Sequence, residues 1–165
     1  MALTASTTLP FGVDRVTETF VNEDFLRHTS ELVGGTLTSV TRQGELNGEF
    51  VITVVRTLPT TRLPEIAKKF VGESLTVTQT ESWSAPAADG SRQANISLKV
   101  AGAPVDVSAV QKLVAEGTGT RIDLDGKVSS SIPFLGSKIA SAAEPMVAKG
   151  LKLQASQAQA WLESH

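Results

Sequence analysis

The sequence contains no cysteine and no tyrosine, and it has two histidines, His28 and the last residue, His165. Without cysteine the chain can form no disulfide, no thiolate nucleophile and no sulfur-ligated metal site. Two histidines that cannot be placed near each other make a poor metal site, and His28 has no Ser, Asp or Glu beside it in a triad pattern. We therefore expect no metal, no cofactor and no catalytic residues.

Blocks of like charge and long apolar runs are also missing. The 15 basic and 17 acidic residues are scattered, so the formal net charge of −2 gives no basic stripe for nucleic acid, and we exclude nucleic acid as a partner. No run approaches the roughly 18 apolar residues of a membrane span, and the first ten residues lack the features of a signal peptide. The sequence predicts a cytoplasmic protein without integral membrane association, and it predicts no oligomeric state.

Apolar and polar residues alternate with a period of two through the middle of the chain. The runs from Phe50 to Leu58 and from Leu75 to Trp83 predict strands rich in β-branched residues. Further strands are expected over residues 3–9, 93–100, 105–115 and from 119 onward, joined mainly by turns, which is typical of an antiparallel meander. Gly126 lies within the last of these strands, where it predicts a bulge or bend.

Helical spacing is present at both ends of the sequence. It predicts a short helix over residues 13–20 and a second one capped by Asn22 and ended by Gly34 and Gly35. A run of about 30 residues near the C-terminus predicts one long helix, with a kink at Pro145. Its apolar stripe is expected to contain Leu135, Ile139, Ala142 and Met146, followed by Val147, Leu151, Ala158 and Leu162.

Three segments carry a resemblance to known proteins. They are Leu63-Pro64 before a short helix, Glu81-Ser82-Trp83 at the end of a strand, and Ile132-Pro133-Phe134-Leu135-Gly136 before the last helix. With the order of the elements, they make the chain similar to the helix-grip fold of the START-like (SRPBCC) superfamily, which includes lipid-transfer domains, plant pollen-allergen relatives and polyketide cyclases. More closely, the chain resembles a bacterial family of that superfamily whose function is uncharacterised.

The resemblance spans nearly the whole chain and implies an architecture. It implies one α+β domain over residues 1–165, in which a curved antiparallel sheet of about seven strands wraps around a long C-terminal helix, with short helices near the N-terminus. It also implies a tendency to hold apolar small molecules, although a shared fold does not establish function. It supplies no catalytic residues.

An internal cavity between the sheet and the long helix is the candidate ligand site. The face of each strand that carries the large apolar side chains is expected to be concave, and small residues on the helix leave space beside it. The candidate lining residues are Phe50, Ile52, Val54, Arg56, Leu75, Val77, Glu81, Trp83, Ile96, Leu98, Ile122, Leu124, Ile139, Ala143 and Met146.

Two charged residues share strand faces with these apolar side chains. Glu81 is interpreted as the exposed end of its strand, and the alternative is a carboxyl group inside an apolar site, where its pKa would rise. Arg56 is interpreted as reaching solvent from the sheet edge, and the alternative is an anchor for a carboxylate or phosphate headgroup.

Three functions remain open from the sequence. The favoured one is a binding or carrier protein for an apolar small molecule or lipid, which would be its partner. The second is an enzyme of cyclase, dehydratase or hydrolase type that uses the same cavity, with Glu81 and Arg56 as its polar members. The third is a structural or interaction module with a filled core.

Overall fold

The computed structural model describes residues 2–61, 65–69, 74–102, 105–132 and 135–165. The elements in chain order are β1 (Ala2–Leu9), α1 (Val13–Val21), α2 (Glu23–Leu32), β2 (Thr36–Gly44), β3 (Phe50–Pro59), α3 (Glu65–Lys68), β4 (Ser74–Trp83), β5 (Arg92–Val100), β6 (Val105–Glu116), β7 (Gly119–Ser130) and α4 (Gly136–Ser164). Four residues that carry part of the resemblance, Leu63, Pro64, Pro133 and Phe134, lie outside the described residues.

The strands form one antiparallel sheet of seven strands in the order β1-β7-β6-β5-β4-β3-β2. Strands β2 to β7 follow each other as a meander, which confirms the predicted connectivity. β1 pairs with β7, so the first strand lies beside the last one, with Ala2 opposite Lys127 and Leu9 opposite Thr120. The sheet therefore has β1 and β2 as its two edges.

Alternation along the strands β3 to β7 separates a buried concave face from a convex one. On β3 the side chains of Phe50, Ile52 and Val54 are buried, whereas Val51 between them is exposed. The ring of Phe50 stacks on that of Trp83, its neighbour on β4, with centroids 5.7 Å apart. The apolar faces predicted from the period of two are the faces that form the core.

The two short helices begin and end where the sequence predicts. The side chain of Asn22 caps α2 by accepting a hydrogen bond of 3.0 Å from the backbone N–H of Phe25. Gly34 follows the end of α2 at a φ of 80°, a left-handed conformation that glycine adopts without steric cost. Phe20 of α1 and Phe25 of α2 bring the two helices together in the core.

Helix α4 contains 29 residues and continues through Pro145. It packs on the concave side of the sheet, mainly along β7 and also against β1 and β6, and it contacts α1 and α2. Its buried residues are Ile139, Ala140, Leu151, Gln154, Ala158 and Leu162.

The predicted apolar stripe of α4 is correct at Leu151, Ala158 and Leu162 and wrong at Leu135 and Met146. The exposed fraction of Met146 is 38%, and Leu135 is exposed to a similar degree, whereas that of Ile139 is 1%. Between Ile139 and Leu151 the helix turns small residues such as Ala143 toward the core. The prediction took every large apolar side chain of the helix as facing the core, whereas the helix turns Met146 away from the sheet and places Ala143 and Val147 against the core instead.

Gly126 does not mark a bulge. The register between β6 and β7 runs without interruption from Val105 opposite Ser130 to Glu116 opposite Gly119. A Cβ atom at Gly126 would instead lie 2.6 Å from the Cβ of Ala109, its direct neighbour on β6. The glycine therefore allows close approach between strands, and the bulge part of the prediction was wrong.

Candidate functional site

A chain of polar side chains crosses the concave face of β3 and β4. Arg56 on β3 donates from Nη1 to Oε1 of Gln79 over 3.4 Å, and Nε2 of Gln79 donates to Oε2 of Glu81. The indole Nε1 of Trp83 donates to the other carboxyl oxygen of Glu81, Oε1, over 2.9 Å. Gln79, Glu81 and Trp83 are alternate residues of one strand, so the period of two places all three side chains on the same face.

Glu81 is one of the most deeply buried side chains of the protein, with an exposed fraction of 2%. It lies between Ile52 on β3 and Ile96 on β5. The interpretation of Glu81 as an exposed strand end was therefore wrong, because the neighbouring strands extend past it on both sides. Burial raises the pKa of the carboxyl group, and the hydrogen bonds from Trp83 and Gln79 and the charge of Arg56 oppose that rise.

Arg56 lies among apolar side chains on the same concave face. Its cross-strand neighbours are Leu37 on β2 and Val77 on β4, and Val54 and Leu58 flank it on β3. Burial lowers the pKa of its guanidinium group, and the charge of Glu81 partly restores it.

The guanidinium group of Arg56 is only partly hydrogen-bonded. Two of its nitrogens, Nε and Nη2, are buried and have no hydrogen-bond partner among the described residues. A side chain that reached solvent from the sheet edge would have water at these atoms, so that interpretation of Arg56 was wrong. Leaving a buried donor unpaired costs about 1–3 kcal/mol, and more when the group is charged.

Arg92 is a second arginine of this face, and it was not among the residues predicted to line the cavity. Its Nε donates to the backbone oxygen of Ser84 over 3.0 Å, Nη2 donates to that of Gly48 over 2.6 Å, and Nη1 donates to that of Leu46. Its guanidinium carbon lies 5.1 Å from the ring centroid of Phe50. The sequence could have identified Arg92, because it occupies the same alternate positions of β5 as the buried apolar residues. A charged residue on a buried face requires hydrogen-bond acceptors.

A cleft of about 370 Å³ lies between the concave face and α4. Ile122 and Leu124 of β7 form its floor, Ala5 of β1 borders it, and Leu151 and Ala155 of α4 form a wall. Gln111 of β6 adds a buried amide, and four further polar side chains line the cleft, namely Ser6, Thr7, Lys152 and Ser156. The cleft therefore combines an apolar floor with several polar side chains.

Most of the predicted lining residues lie in the core. Twelve are buried, namely Phe50, Ile52, Val54, Leu75, Val77, Glu81, Trp83, Ile96, Leu98, Ile122, Leu124 and Ile139. Ala143 is partly buried against the core, whereas Met146 is exposed. Of the fifteen candidates, Ile122 and Leu124 line the cleft, and Arg56 and Glu81 lie on the β3–β4 side of the same concave face. A ligand-binding role for any of them stays a prediction.

A curved seven-stranded antiparallel sheet that holds a long C-terminal helix on its concave side is the helix-grip fold of the START-like superfamily. Solved structures with this fold are similar over nearly the full chain. The Zhui aromatase/cyclase from Streptomyces sp. is 12% identical, with 99% of this chain and 93% of that chain covered and a TM-score of 0.60. Norcoclaurine synthase from Thalictrum flavum, in complex with dopamine and hydroxybenzaldehyde, is 12% identical, with 100% and 87% covered and a TM-score of 0.54. An uncharacterised protein from Rhizobium leguminosarum is 11% identical, with 100% and 95% covered and a TM-score of 0.61.

The family itself follows from the sequence. The chain belongs to the family described as protein of unknown function DUF2505, whose profile matches residues 4–162. The predicted membership in a family of uncharacterised function is thereby confirmed, and the structure has the helix-grip fold that the resemblance implied. No curated protein matches the chain. Within the part of the chain that the structure describes, no helix is long and apolar enough to cross a membrane.

Proposed function

We propose that this protein is a single-domain cytoplasmic carrier that binds an apolar small molecule or lipid between the concave face of the sheet and α4. The observation that carries the proposal is the cleft of about 370 Å³ with its floor of Ile122 and Leu124. Its volume lies within the range of small-molecule sites. A ligand there would exchange the water in contact with these side chains for apolar surface, which is favourable in proportion to the area covered.

The similar structures support this proposal by analogy of fold. Norcoclaurine synthase is described in complex with two aromatic small molecules, dopamine and hydroxybenzaldehyde. The helix-grip fold is therefore compatible with an interior that accepts such molecules. The analogy supports a binding interior and does not identify a ligand for this chain.

A neutral fluorescent probe tests the proposal. N-phenyl-1-naphthylamine, whose fluorescence rises in apolar surroundings, is expected to bind with a stoichiometry near one. The variant Ala155→Phe places a ring in the cleft and is expected to weaken binding at least tenfold. The matched control is Ala160→Phe, because Ala160 is an exposed residue of the same helix and is expected to tolerate the ring.

Two results would contradict a carrier function. Absence of probe binding to the wild-type protein would favour the alternative of a structural or interaction module with a filled core. Equal weakening by Ala155→Phe and Ala160→Phe would place the bound probe outside the cleft. Native mass spectrometry of the purified protein, followed by organic extraction, identifies any molecule that remains bound during purification.

Glu81 favours a second candidate function, an enzyme of cyclase type. A buried carboxyl group with a raised pKa is a candidate for proton transfer, and Arg56 would stabilise negative charge that develops beside it. If the extracted molecule changes its mass or its chromatographic retention on incubation with the wild-type protein and not with Glu81→Gln, the enzyme is supported. An unchanged molecule in both incubations supports the carrier.

A further inference from the structure

We infer that the ligand carries an oxyanion, a carboxylate or a phosphate, that binds the free edge of Arg56. The inference rests on the proposed function and specifies the chemical class of its ligand. It assigns a polar end to a molecule whose body is apolar.

The geometry of the guanidinium group is the first argument. Nη1 of Arg56 is used by the bond to Gln79, whereas Nε and Nη2 are without a partner in the described part of the chain. These two nitrogens lie side by side on one edge of the planar group, and their N–H bonds point in the same direction. That edge is the fork that receives two oxygens of one carboxylate or phosphate in parallel.

The surroundings of Arg56 are the second argument. Leu37 and Val77 on the neighbouring strands supply no acceptor, and neither do Val54 and Leu58 along β3. The hydrogen bonds of Glu81 come from Trp83 to Oε1 and from Gln79 to Oε2, and among the described residues it makes none with Nε or Nη2 of Arg56. An oxyanion from a ligand would therefore supply the acceptors that the described residues do not.

Arg92 shows that an unpaired arginine is not a general property of this face. Its Nε, Nη1 and Nη2 all donate to backbone oxygens, from Ser84, Leu46 and Gly48. Arg92 and Arg56 share the concave face, and among the described residues each guanidinium nitrogen of Arg92 donates a hydrogen bond, whereas Nε and Nη2 of Arg56 donate none. The free edge of Arg56 is therefore the feature that distinguishes a binding role from a structural one.

The positions of the two sites indicate an elongated ligand. Arg56 lies on β3, and the floor of the cleft lies on β7, four strands along the same concave face. At about 4.8 Å between neighbouring strands, the separation measured along the sheet is roughly 19 Å. An apolar chain in the cleft, with its oxyanion at Arg56, satisfies both observations.

The test measures how well three ligands of equal chain length displace N-phenyl-1-naphthylamine. They are tetradecanoate, tetradecyl phosphate and 1-tetradecanol. At least one oxyanion is expected to displace the probe at a concentration at least tenfold lower than the alcohol. The ratio between carboxylate and phosphate shows which of the two the site prefers.

Variants of Arg56 locate that preference. Arg56→Met is expected to reduce the oxyanion-to-alcohol ratio to about one, and Arg56→Lys, which keeps the charge without the fork, is expected to reduce it partly. The ratio is measured within each variant, so a smaller folded fraction does not change it. Lys99→Met is the matched control, because it removes a positive charge from the exposed face of β5 and is expected to leave the ratio unchanged.

The outcomes separate this inference from the proposed function. If the alcohol and both oxyanions displace the probe equally from the wild-type protein, the inference is overturned while the carrier function stands. A preference that survives Arg56→Met also overturns it. If the probe itself does not bind, both proposals fail.

Discussion

Arg56 and Arg92 share the concave face of the sheet, yet Arg92 donates from all three guanidinium nitrogens to backbone oxygens, and Arg56 leaves two nitrogens without partners among the described residues. The acceptors of Arg92 belong to two connections, the one between β2 and β3 and the one between β4 and β5. Arg92 thus ties together two loops at one end of the sheet. Arg56 is flanked by apolar residues, and among the described residues its guanidinium group donates one hydrogen bond, to Gln79.

Replacing Arg92 is expected to destabilise the protein strongly. Arg92→Met removes the three hydrogen bonds that the charged guanidinium group donates, so the backbone oxygens of Leu46, Gly48 and Ser84 lose this donor. We expect this loss to lower the free energy of unfolding by about 3 kcal/mol or more. Urea denaturation followed by circular dichroism measures the change. Arg42→Met, at an exposed position of β2, should shift it by less than about 0.5 kcal/mol. A loss below about 1 kcal/mol for Arg92→Met would contradict its structural role.

Glu81 makes stability depend on pH in a direction opposite to that of most carboxyl groups. Its folded-state pKa is raised above the ordinary value of 4.5, so the folded protein binds its proton more tightly than the unfolded chain does. The stability it contributes is fully present below about pH 4.5 and is lost as pH rises through the folded-state pKa. Each tenfold difference in proton affinity between the folded and unfolded states corresponds to about 1.4 kcal/mol of stability.

The measurement compares the wild-type protein with Glu81→Gln by urea denaturation between pH 4 and pH 8. We expect the stability of the wild-type protein relative to the variant to fall as pH rises. A glutamine side chain also mismatches one of the donors from Gln79 and Trp83, which adds a destabilisation that does not vary with pH. Glu49→Gln, an exposed control, should show no such slope. A difference that grows with pH would mean that the hydrogen bonds and Arg56 outweigh burial.

The face of α4 that packs on the sheet is tested by two alanine substitutions. Ile139→Ala removes a fully buried side chain and is expected to lower the free energy of unfolding by about 2–4 kcal/mol. Met146→Ala removes a side chain that is 38% exposed, so its effect should be about 1 kcal/mol or less. Equal effects in thermal or urea denaturation would mean that the helix is rotated relative to the structure described.

Two glycine-to-alanine substitutions are expected to have opposite signs. Gly126→Ala places a Cβ 2.6 Å from that of Ala109 and also 2.6 Å from the backbone oxygen of Ser108, so we expect a loss of about 1–3 kcal/mol. At Gly150, in α4, nothing lies within 4 Å of the added atom. Gly150→Ala is therefore expected to stabilise the protein by about 0.5–1 kcal/mol through helix propensity. A neutral Gly126→Ala would show that the two strands separate without cost.

Local patterns predicted most of the fold. The alternation of β3, β4 and β5 identified their buried faces, and Asn22 and Gly34 set the limits of α2. The position of β2 was not predicted, because its residues from Thr36 to Gly44 lie at a sheet edge where little is buried and alternation is weak. The stripe of α4 was misjudged at Met146 because periodicity does not show which side of a helix faces the sheet.

The burial and the hydrogen bonding of Glu81 and Arg56 depend on neighbouring strands, so the sequence of their own strands does not predict them. Sequence parity placed Glu81 with Leu75 and Val77, but whether its end of the strand is covered depends on how far β3 and β5 extend beside it. The free donors of Arg56 likewise follow from its distance to Gln79 and from the apolar neighbours that the register selects. The alternation along a strand shows which side chains share a face, whereas the neighbouring strands decide whether those side chains are buried.

The pairing of β1 with β7 has a consequence for the order of folding. Ser6 and Asp123, which are joined by a hydrogen bond, lie 117 residues apart, whereas the pairs from β2 to β7 are hairpins of neighbouring strands. Closing so long a loop carries a high entropic cost and slows the contacts that depend on it. During synthesis β1 leaves the ribosome long before its partner strand exists. The strand contains three threonines, which favour strand conformation, and no charged residue or proline. While it remains unpaired, its composition therefore does not prevent it from pairing with other chains.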